Sequence, residues 1–167
     1  MEAVEETRWL TAEEQRTWLE LLGVVTWLPD AVDAQLQRDA GLSHFEYQVM
    51  AMLSMSPQHT RRMSEVAALA NGSLTRLSRT VDRLEKRGWV TRRPDPDDGR
   101  ATLAVLTDAG WEKVVATAPG HVAEVRRLVL DPLTRTQVHQ LREIATRIGQ
   151  VAQPDGCLPS MSTPDSL

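Results

Sequence analysis

The chain has 167 residues, of which 41% are hydrophobic and 25% charged, as expected for one soluble domain with appendages. It contains no run of about 18 apolar residues, and its acidic start does not resemble a signal peptide, so we expect a cytoplasmic protein without a membrane span. A single cysteine, Cys157, excludes an internal disulfide and a cysteine-rich zinc site.

The net charge of −4 is unevenly distributed. Residues 1–40 carry nine acidic and three basic side chains, whereas residues 61–100 carry ten basic and six acidic ones. Because local charge determines where a polyanion docks, the segment 61–100 is the predicted nucleic-acid surface.

The first predicted helix runs from Trp9 or Thr11 to about Asp39, with apolar residues every three or four positions. Thr11 and Glu14 have the spacing of a capping box. Pro29 lies inside this helix and is expected to bend or break it. A single apolar stripe on so long a helix predicts burial against a partner.

Two shorter helices follow. Ser43 and Glu46 form a second predicted capping box, and Pro57 ends that helix. Ser64 opens a short helix over residues 65–70, and Asn71-Gly72 supplies the turn after it.

Ser73 is the predicted N-cap of a fourth helix that ends at Gly88. Its predicted buried stripe consists of Leu74, Leu77, Val81 and Leu84. The other faces carry small polar and basic side chains.

A predicted β-hairpin comes next. Residues 89–93 and 101–106 favour strands, and the aspartate-rich segment 94–99 between them favours a turn. Arg100 is predicted to lie at the hairpin tip. Asp97 or Asp98 either tethers Arg100 or shapes the turn.

Two helices are predicted after the hairpin. Thr107 caps the first, which runs to about Leu130, with a kink or split expected at Pro119-Gly120. Thr134, with Gln137 at capping-box spacing, starts the last. The tail from residue 153 has a disordered composition.

These elements predict a mainly α fold with a small β-hairpin wing, that is, a winged helix-turn-helix with an α-helical dimerisation region. The predicted divisions are a flexible N-terminus (1–8), a dimerisation region (9–40 and 107–152), a DNA-binding lobe (41–106) and a disordered tail (153–167). Three apolar stripes, on the first and the last two helices, exceed what the small lobe can cover, which predicts a homodimer and a two-fold DNA site.

A helix-turn-helix places its second helix in the major groove of double-stranded DNA, where arginine and hydroxyl side chains recognise base edges. Arg100 on the wing is expected to enter the minor groove. The predicted DNA-binding residues are Ser73, Thr75, Arg76, Ser78, Arg79, Arg83 and Arg100.

We predict no enzyme, cofactor or metal site, because the sequence lacks a nucleophile triad, a phosphate-binding glycine loop and a metal-ligand spacing. The turn aspartates have a sufficient structural role. The alternative hypothesis is a small-molecule-binding or protein-interaction module of the same fold without specific DNA binding.

The sequence resembles the MarR family of winged helix-turn-helix transcriptional regulators over roughly residues 10–152. The resemblance lies in the segments LSHFEY (42–47), RMSEVA (62–67), LTRLSR (74–79) and VDRLEKRGWVTRRPDPDDGRATL (81–103). It implies an obligate homodimer joined through the first and last helices, and a repressor of a pseudo-palindromic operator that a small ligand releases. Arg100 matches the family's wing-tip arginine.

The resemblance also implies an aromatic or phenolic ligand bound between the dimerisation helices and the DNA-binding lobe. The candidate ligand-binding residues are Trp18, Trp27, His44, Tyr47 and Trp111. Core packing is the alternative role for each of them.

Overall fold

The computed structural model describes residues 7–152. The helices in this range are α1 (Ala12–Ala40), α2 (His44–Ser54), α3 (Met63–Leu69), α4 (Leu74–Lys86), α5 (Asp108–Val125) and α6 (Arg135–Ala152). The strands are β1 (Thr60–Arg62), β2 (Val90–Pro94) and β3 (Thr102–Leu106). The predicted tail with Cys157, and the predicted flexible N-terminus apart from residues 7 and 8, lie outside the described residues.

The predicted capping boxes are confirmed. The Thr11 hydroxyl accepts a hydrogen bond from the Glu14 amide at 3.2 Å, and the Glu14 carboxylate accepts one from the Thr11 amide at 2.8 Å. Ser43 and Glu46 form the same pair of bonds. Each box satisfies backbone donors that a helix start leaves without partners.

Neither internal proline breaks its helix. α1 continues through Pro29 and α5 through Pro119, so the break considered at Pro29 and the split considered at Pro119-Gly120 do not occur. A proline removes one backbone hydrogen bond, and the remaining turns of a long helix keep theirs. The irregular segment lies further on, as a π-helical turn at Arg126–Leu130.

The sheet has one strand more than the predicted hairpin. Its order is β1-β3-β2 and both pairings are antiparallel, with Arg62 of β1 and Arg93 of β2 on either side of Leu103. β1 has only three residues, too few for a recognisable alternation. The mainly helical fold with a small β wing is confirmed.

One hydrophobic core joins the lobe to parts of the helices at both ends of the chain. Val32 and Leu36 of α1 and Val114 of α5 belong to the same buried cluster as Leu77 and Leu84 of α4. The lobe is therefore packed directly onto α1 and α5. No helix within residues 7–152 is long and apolar enough to cross a membrane.

Large apolar side chains remain exposed on α1 and α6. α6 has no buried residue, and its Leu141 and Ile144 border a groove of about 740 Å³ against Val24 and Trp27 of α1. The predicted stripe of α6 and the first part of that of α1 thus lie open on the protomer, whereas Val32 and Leu36 of the α1 stripe are buried in the core.

Candidate nucleic-acid interface

α4 is held at its start by its own cap and by close packing of the preceding turn. The Ser73 hydroxyl accepts a hydrogen bond from the Arg76 amide at 3.1 Å. Asn71 has a φ of 47°, and a Cβ on Gly72 would lie 2.9 Å from the Phe45 ring. The turn therefore needs a residue tolerant of positive φ and then one without a side chain.

The buried face of α4 differs from the predicted stripe. Leu77, Val81 and Leu84 are buried as expected, but the prediction for Leu74 is wrong, since its exposed fraction is 55%. The fourth buried residue of α4 is Thr80 rather than Leu74. Leu74 is the first residue of α4, where no preceding turn of the same helix covers it.

Arg79 on α4 and Arg100 on the wing are exposed arginines whose guanidinium groups are available to a ligand, as is that of Arg93 on β2. Among the hydrogen bonds and ion pairs of residues 7–152, none of these guanidinium groups has a partner; Arg79 takes part through its carbonyl and Arg100 through its amide. Thr75 is exposed on the same helix. These side chains present hydrogen-bond donors and positive charge to solvent.

Arg76 and Arg83 lie on the flank of α4 that faces α2. The Arg76 guanidinium lies 4.1 Å from the centre of the Phe45 ring, a cation–π contact. The Arg83 Nε donates to the Glu46 carboxylate at 2.8 Å, and its Nη2 donates to the Thr80 hydroxyl at 3.2 Å. Arg83 thus connects α4 to α2.

The Glu46 carboxylate is only 4% exposed. Burial raises its pKa, but hydrogen bonds from Arg83 and Ser43 outweigh burial, and the pKa lies below its ordinary value. An ionised Glu46 keeps Arg83 in place at neutral pH, so this arginine has a structural role whether or not it meets DNA.

The wing turn is built on Asp95, which is 6% exposed. It accepts hydrogen bonds from the Asp97 amide at 3.0 Å and from Arg62 Nε at 2.6 Å. These bonds lower the pKa of Asp95. Asp98 accepts from the Arg100 amide rather than from its guanidinium, so of the two alternatives for this residue, shaping the turn is the observed one.

Two arginines that the sequence did not single out fix the wing to the rest of the lobe. Arg62 on β1 binds Asp95, which lies 33 positions further along the chain. Arg92 Nη2 donates to the Ser78 carbonyl and to the Asp82 carboxylate of α4, and its Nη1 lies 3.2 Å from Glu85. Arg62 meets Asp95 because β1 pairs with β3, and Arg92 meets its partners because β2 packs on α4, so no local sequence signal reveals either set of contacts.

Two open clefts flank the exposed face of α4. One, of about 540 Å³, lies between α4 and the wing and is bordered by Leu74, Ser78 and Arg100. The other, of about 850 Å³, lies between α4 and the α1–α2 region and is bordered by Asp33, His44, Phe45, Thr75, Arg76 and Arg79.

The five candidate ligand residues do not share one pocket. His44 borders the 850 Å³ cleft, whereas Trp27 borders the α1–α6 groove and Trp111 stacks on His59 with ring centres 4.8 Å apart. Tyr47 is buried, with its ring 4.7 Å from that of His121. Trp18 is exposed on α1.

His44 of α2 and His121 of α5 are both half-buried, and they are close enough to interact electrostatically. Burial lowers the pKa of both, Asp33 partly opposing this at His44, and His44 further lowering the pKa of His121. The His44 amide donates to Asp33 at 2.6 Å. Two neutral imidazoles are therefore the stable form at neutral pH.

A helix-turn-helix whose second helix is braced by a β-hairpin with an exposed arginine at its tip defines the class of winged helix-turn-helix regulators. The family model that describes MarR proteins matches residues 40–101 of this sequence. The structure of Sco3205, a MarR family transcriptional regulator from Streptomyces coelicolor in complex with DNA, is 46% identical, covers 93% of this chain and 98% of its own, and has a TM-score of 0.86.

Two further relatives are similar along most of their length. The transcriptional repressor MprA of Escherichia coli is 28% identical over 73% of this chain and 71% of its own. CouR from Rhodococcus jostii RHA1, bound to p-coumaroyl-CoA, is 26% identical over 83% of this chain and 92% of its own, with a TM-score of 0.69. The chain belongs to the MarR family and is a transcriptional regulator; its relatives are regulators rather than enzymes.

Proposed function

We propose that the protein is a homodimeric repressor that binds a pseudo-palindromic operator and is released by a small aromatic or phenolic ligand. Residues 41–106 serve as the DNA-binding lobe, and residues 9–40 and 107–152 as the dimerisation region. Three relatives support DNA binding, repression and a small-molecule ligand: Sco3205 in complex with DNA, the repressor MprA, and CouR bound to p-coumaroyl-CoA. A regulator of this kind acts in the cytoplasm, where its DNA lies.

The observation that carries the DNA-binding part is that, within residues 7–152, the guanidinium groups of Arg79 on α4 and of Arg93 and Arg100 on the wing have no partner. We assign the major-groove contacts to the start and exposed face of α4 and the minor-groove contact to Arg100. The proposed DNA-binding residues are Ser73, Thr75, Arg76, Ser78, Arg79, Arg83 and Arg100.

The exposed apolar faces of α1 and α6 support the homodimer. Trp27 is 72% exposed, and Leu141 and Ile144 lie across the groove from it. Covering such a surface with a second copy removes apolar area from water. Two-fold symmetry then places the two α4 helices in successive major grooves, about 34 Å apart.

We assign the ligand to the 850 Å³ cleft, because it lies between α4 and α1–α2 and is bordered by His44 and Arg76. An imidazole and a guanidinium suit a phenol or carboxylate. Tyr47 is buried beside His121 and does not border this cleft, and Trp18, Trp27 and Trp111 also lie apart from it. A titration with p-coumarate should release DNA from the wild type and release less from His44→Ala.

The test of DNA binding is a mobility shift on the region upstream of the protein's own gene, at two salt concentrations. We expect a specific complex that weakens steeply as salt rises, because phosphate contacts release counterions. An unrelated duplex of equal length is the control. A complex that is equally strong on both duplexes, or absent from both, contradicts the proposal and favours the module without specific DNA binding.

A further inference from the structure

Leu74 is an aliphatic side chain at the DNA-facing start of α4. The other aliphatic residues of this helix, Leu77, Val81 and Leu84, have no exposed area, whereas Leu74 is 55% exposed. A single exposed leucine is ordinary on a protein surface. Its position is not ordinary, since the first residues of a recognition helix are those that reach base edges.

Leu74 borders the cleft between α4 and the wing. Its neighbours around that cleft include Met63, Ser78, Ala101 and Arg100. Met63 is buried, so Leu74 provides an exposed apolar surface at the rim of a cleft that is also bordered by Arg62, Arg92, Asp98 and Arg100. A DNA strand held between α4 and the wing arginine would meet this surface.

The chemistry of the base edges restricts what Leu74 can recognise. A leucine side chain has no hydrogen-bond donor or acceptor. In the major groove, the one apolar group that distinguishes a base pair is the C5-methyl of thymine, which apolar side chains contact. Contact with a cytosine amino group or a guanine oxygen would leave that polar group without a partner.

We propose that Leu74 is a specificity-determining residue that contacts the methyl group of one thymine in each operator half-site. This inference rests on the proposed function, because it requires α4 to enter the major groove of a specific site. It adds a methyl-dependent preference that the arginine and hydroxyl side chains of α4 do not provide.

The experiment replaces each thymine of the footprinted operator, one position per half-site at a time, by deoxyuridine, which lacks only the methyl group. For the wild type, we expect one position at which the dissociation constant rises about fourfold per half-site, the effect of one buried methyl group. For Leu74→Ala, the dissociation constants for the deoxyuridine and thymidine operators at that position should be nearly equal, so that their ratio is close to one.

Thr75→Ala is the matched control, because Thr75 lies beside Leu74 on the exposed surface of α4. It should weaken binding to both operators and keep the wild-type ratio. Thermal melts verify that both variants are folded. Equal ratios for the wild type and Leu74→Ala at every thymine overturn this inference and leave the proposed function intact. Absence of any specific operator complex overturns both.

Discussion

The arginines of residues 41–106 differ in whether a carboxylate pairs with them. Arg62, Arg83 and Arg92 each bind a carboxylate at 2.6–2.8 Å. Within residues 7–152, the Arg79 and Arg100 guanidinium groups bind none. A paired guanidinium is already neutralised and oriented, so it contributes mainly to the shape of the lobe. Arg79 and Arg100, like Arg93 on β2, have their charge and donors free for DNA.

We therefore predict that Arg79→Ala and Arg100→Ala each weaken operator binding by about 1–3 kcal/mol, because each removes a charge-assisted contact to DNA. Fluorescence anisotropy with a labelled operator measures the loss. A substitution that removes only a phosphate contact should also reduce the slope of log K against log salt concentration by about one.

Arg142→Ala on the exposed surface of α6 is the control for net charge. It should bind the operator like the wild type, and all three variants should keep the wild-type mass in solution. Wild-type affinity for either lobe variant would refute the assignment of that residue.

Side-chain partners are the part of the site that the sequence predicted least well. The exposed residues of α4 follow from its periodicity, and the cap by Ser73 follows from a serine placed directly after the Asn71-Gly72 turn. The pair Arg62–Asp95 does not, because it depends on β1 and the wing turn meeting across the sheet. Leu74 fits the apolar period, yet the position at the helix end leaves it exposed.

Local signals predicted the helices well and the sheet only in part. The capping boxes involve residues three positions apart, and the structure forms them as expected. β1 has three residues and exists through its bonds to β3. The effect predicted for the internal prolines was too strong, because α1 and α5 keep the hydrogen bonds of their other turns and stay continuous through Pro29 and Pro119.

The junction between the wing and α5 depends on a close backbone approach. Gly110 lies in the first turn of α5, after the cap by Thr107. A Cβ at this position would lie 2.1 Å from the Trp89 carbonyl oxygen and 2.7 Å from Leu106 Cδ1. Since the carbonyl belongs to the backbone at the start of β2, a side chain at position 110 would push α5 away from the sheet.

We predict that Gly110→Ala lowers the free energy of unfolding by about 1–3 kcal/mol through overpacking, despite the better helix propensity of alanine. Urea unfolding followed by circular dichroism measures the change. Gly99→Ala is the matched control, because nothing lies within 4 Å of a Cβ there, and it should unfold within about 0.5 kcal/mol of the wild type. Equal stabilities of the two variants would contradict the described approach.

At the scale of the whole molecule, the open faces of α1 and α6 predict a dimer. Light scattering at micromolar concentration should give twice the 18.7 kDa of one chain. Ile144→Asp places a charge in the exposed apolar face of α6 and should shift the mass toward the monomer, since an unpaired charge is costly in an apolar interface. Arg79→Ala is the control and should stay dimeric. A wild-type monomer would disprove the assignment of these faces.

Because His44 and His121 are half-buried, we predict that the folded protein is less stable at acidic pH. Their pKa values lie below the ordinary 6.5, so near and below pH 6.5 the unfolded chain binds more protons than the folded one. The linkage relation then requires the free energy of unfolding to fall as the pH is lowered from 7.5 to 5.5.

Urea unfolding at these two pH values measures the decrease. The double variant His44→Gln, His121→Gln should show a smaller decrease than the wild type. Glu46 and Asp95 have lowered pKa values, and the stability they contribute is lost only below about pH 4.5. They therefore do not account for a change above pH 5.5. An unchanged decrease in the double variant would exclude the histidine pair as its source.

Because α1 is long, a small tilt of this helix produces a large displacement at its far end. Its 29 residues rise about 43 Å along the axis. Val32 and Leu36 fix one end in the lobe core, while the other end carries the exposed apolar face. Tilting such a rod by about 5° moves its far end by about 4 Å, comparable to the step of about 3.4 Å between base pairs on one strand. In the proposed dimer, a tilt of a few degrees at one end of α1 would therefore displace a lobe by about the distance between neighbouring base pairs.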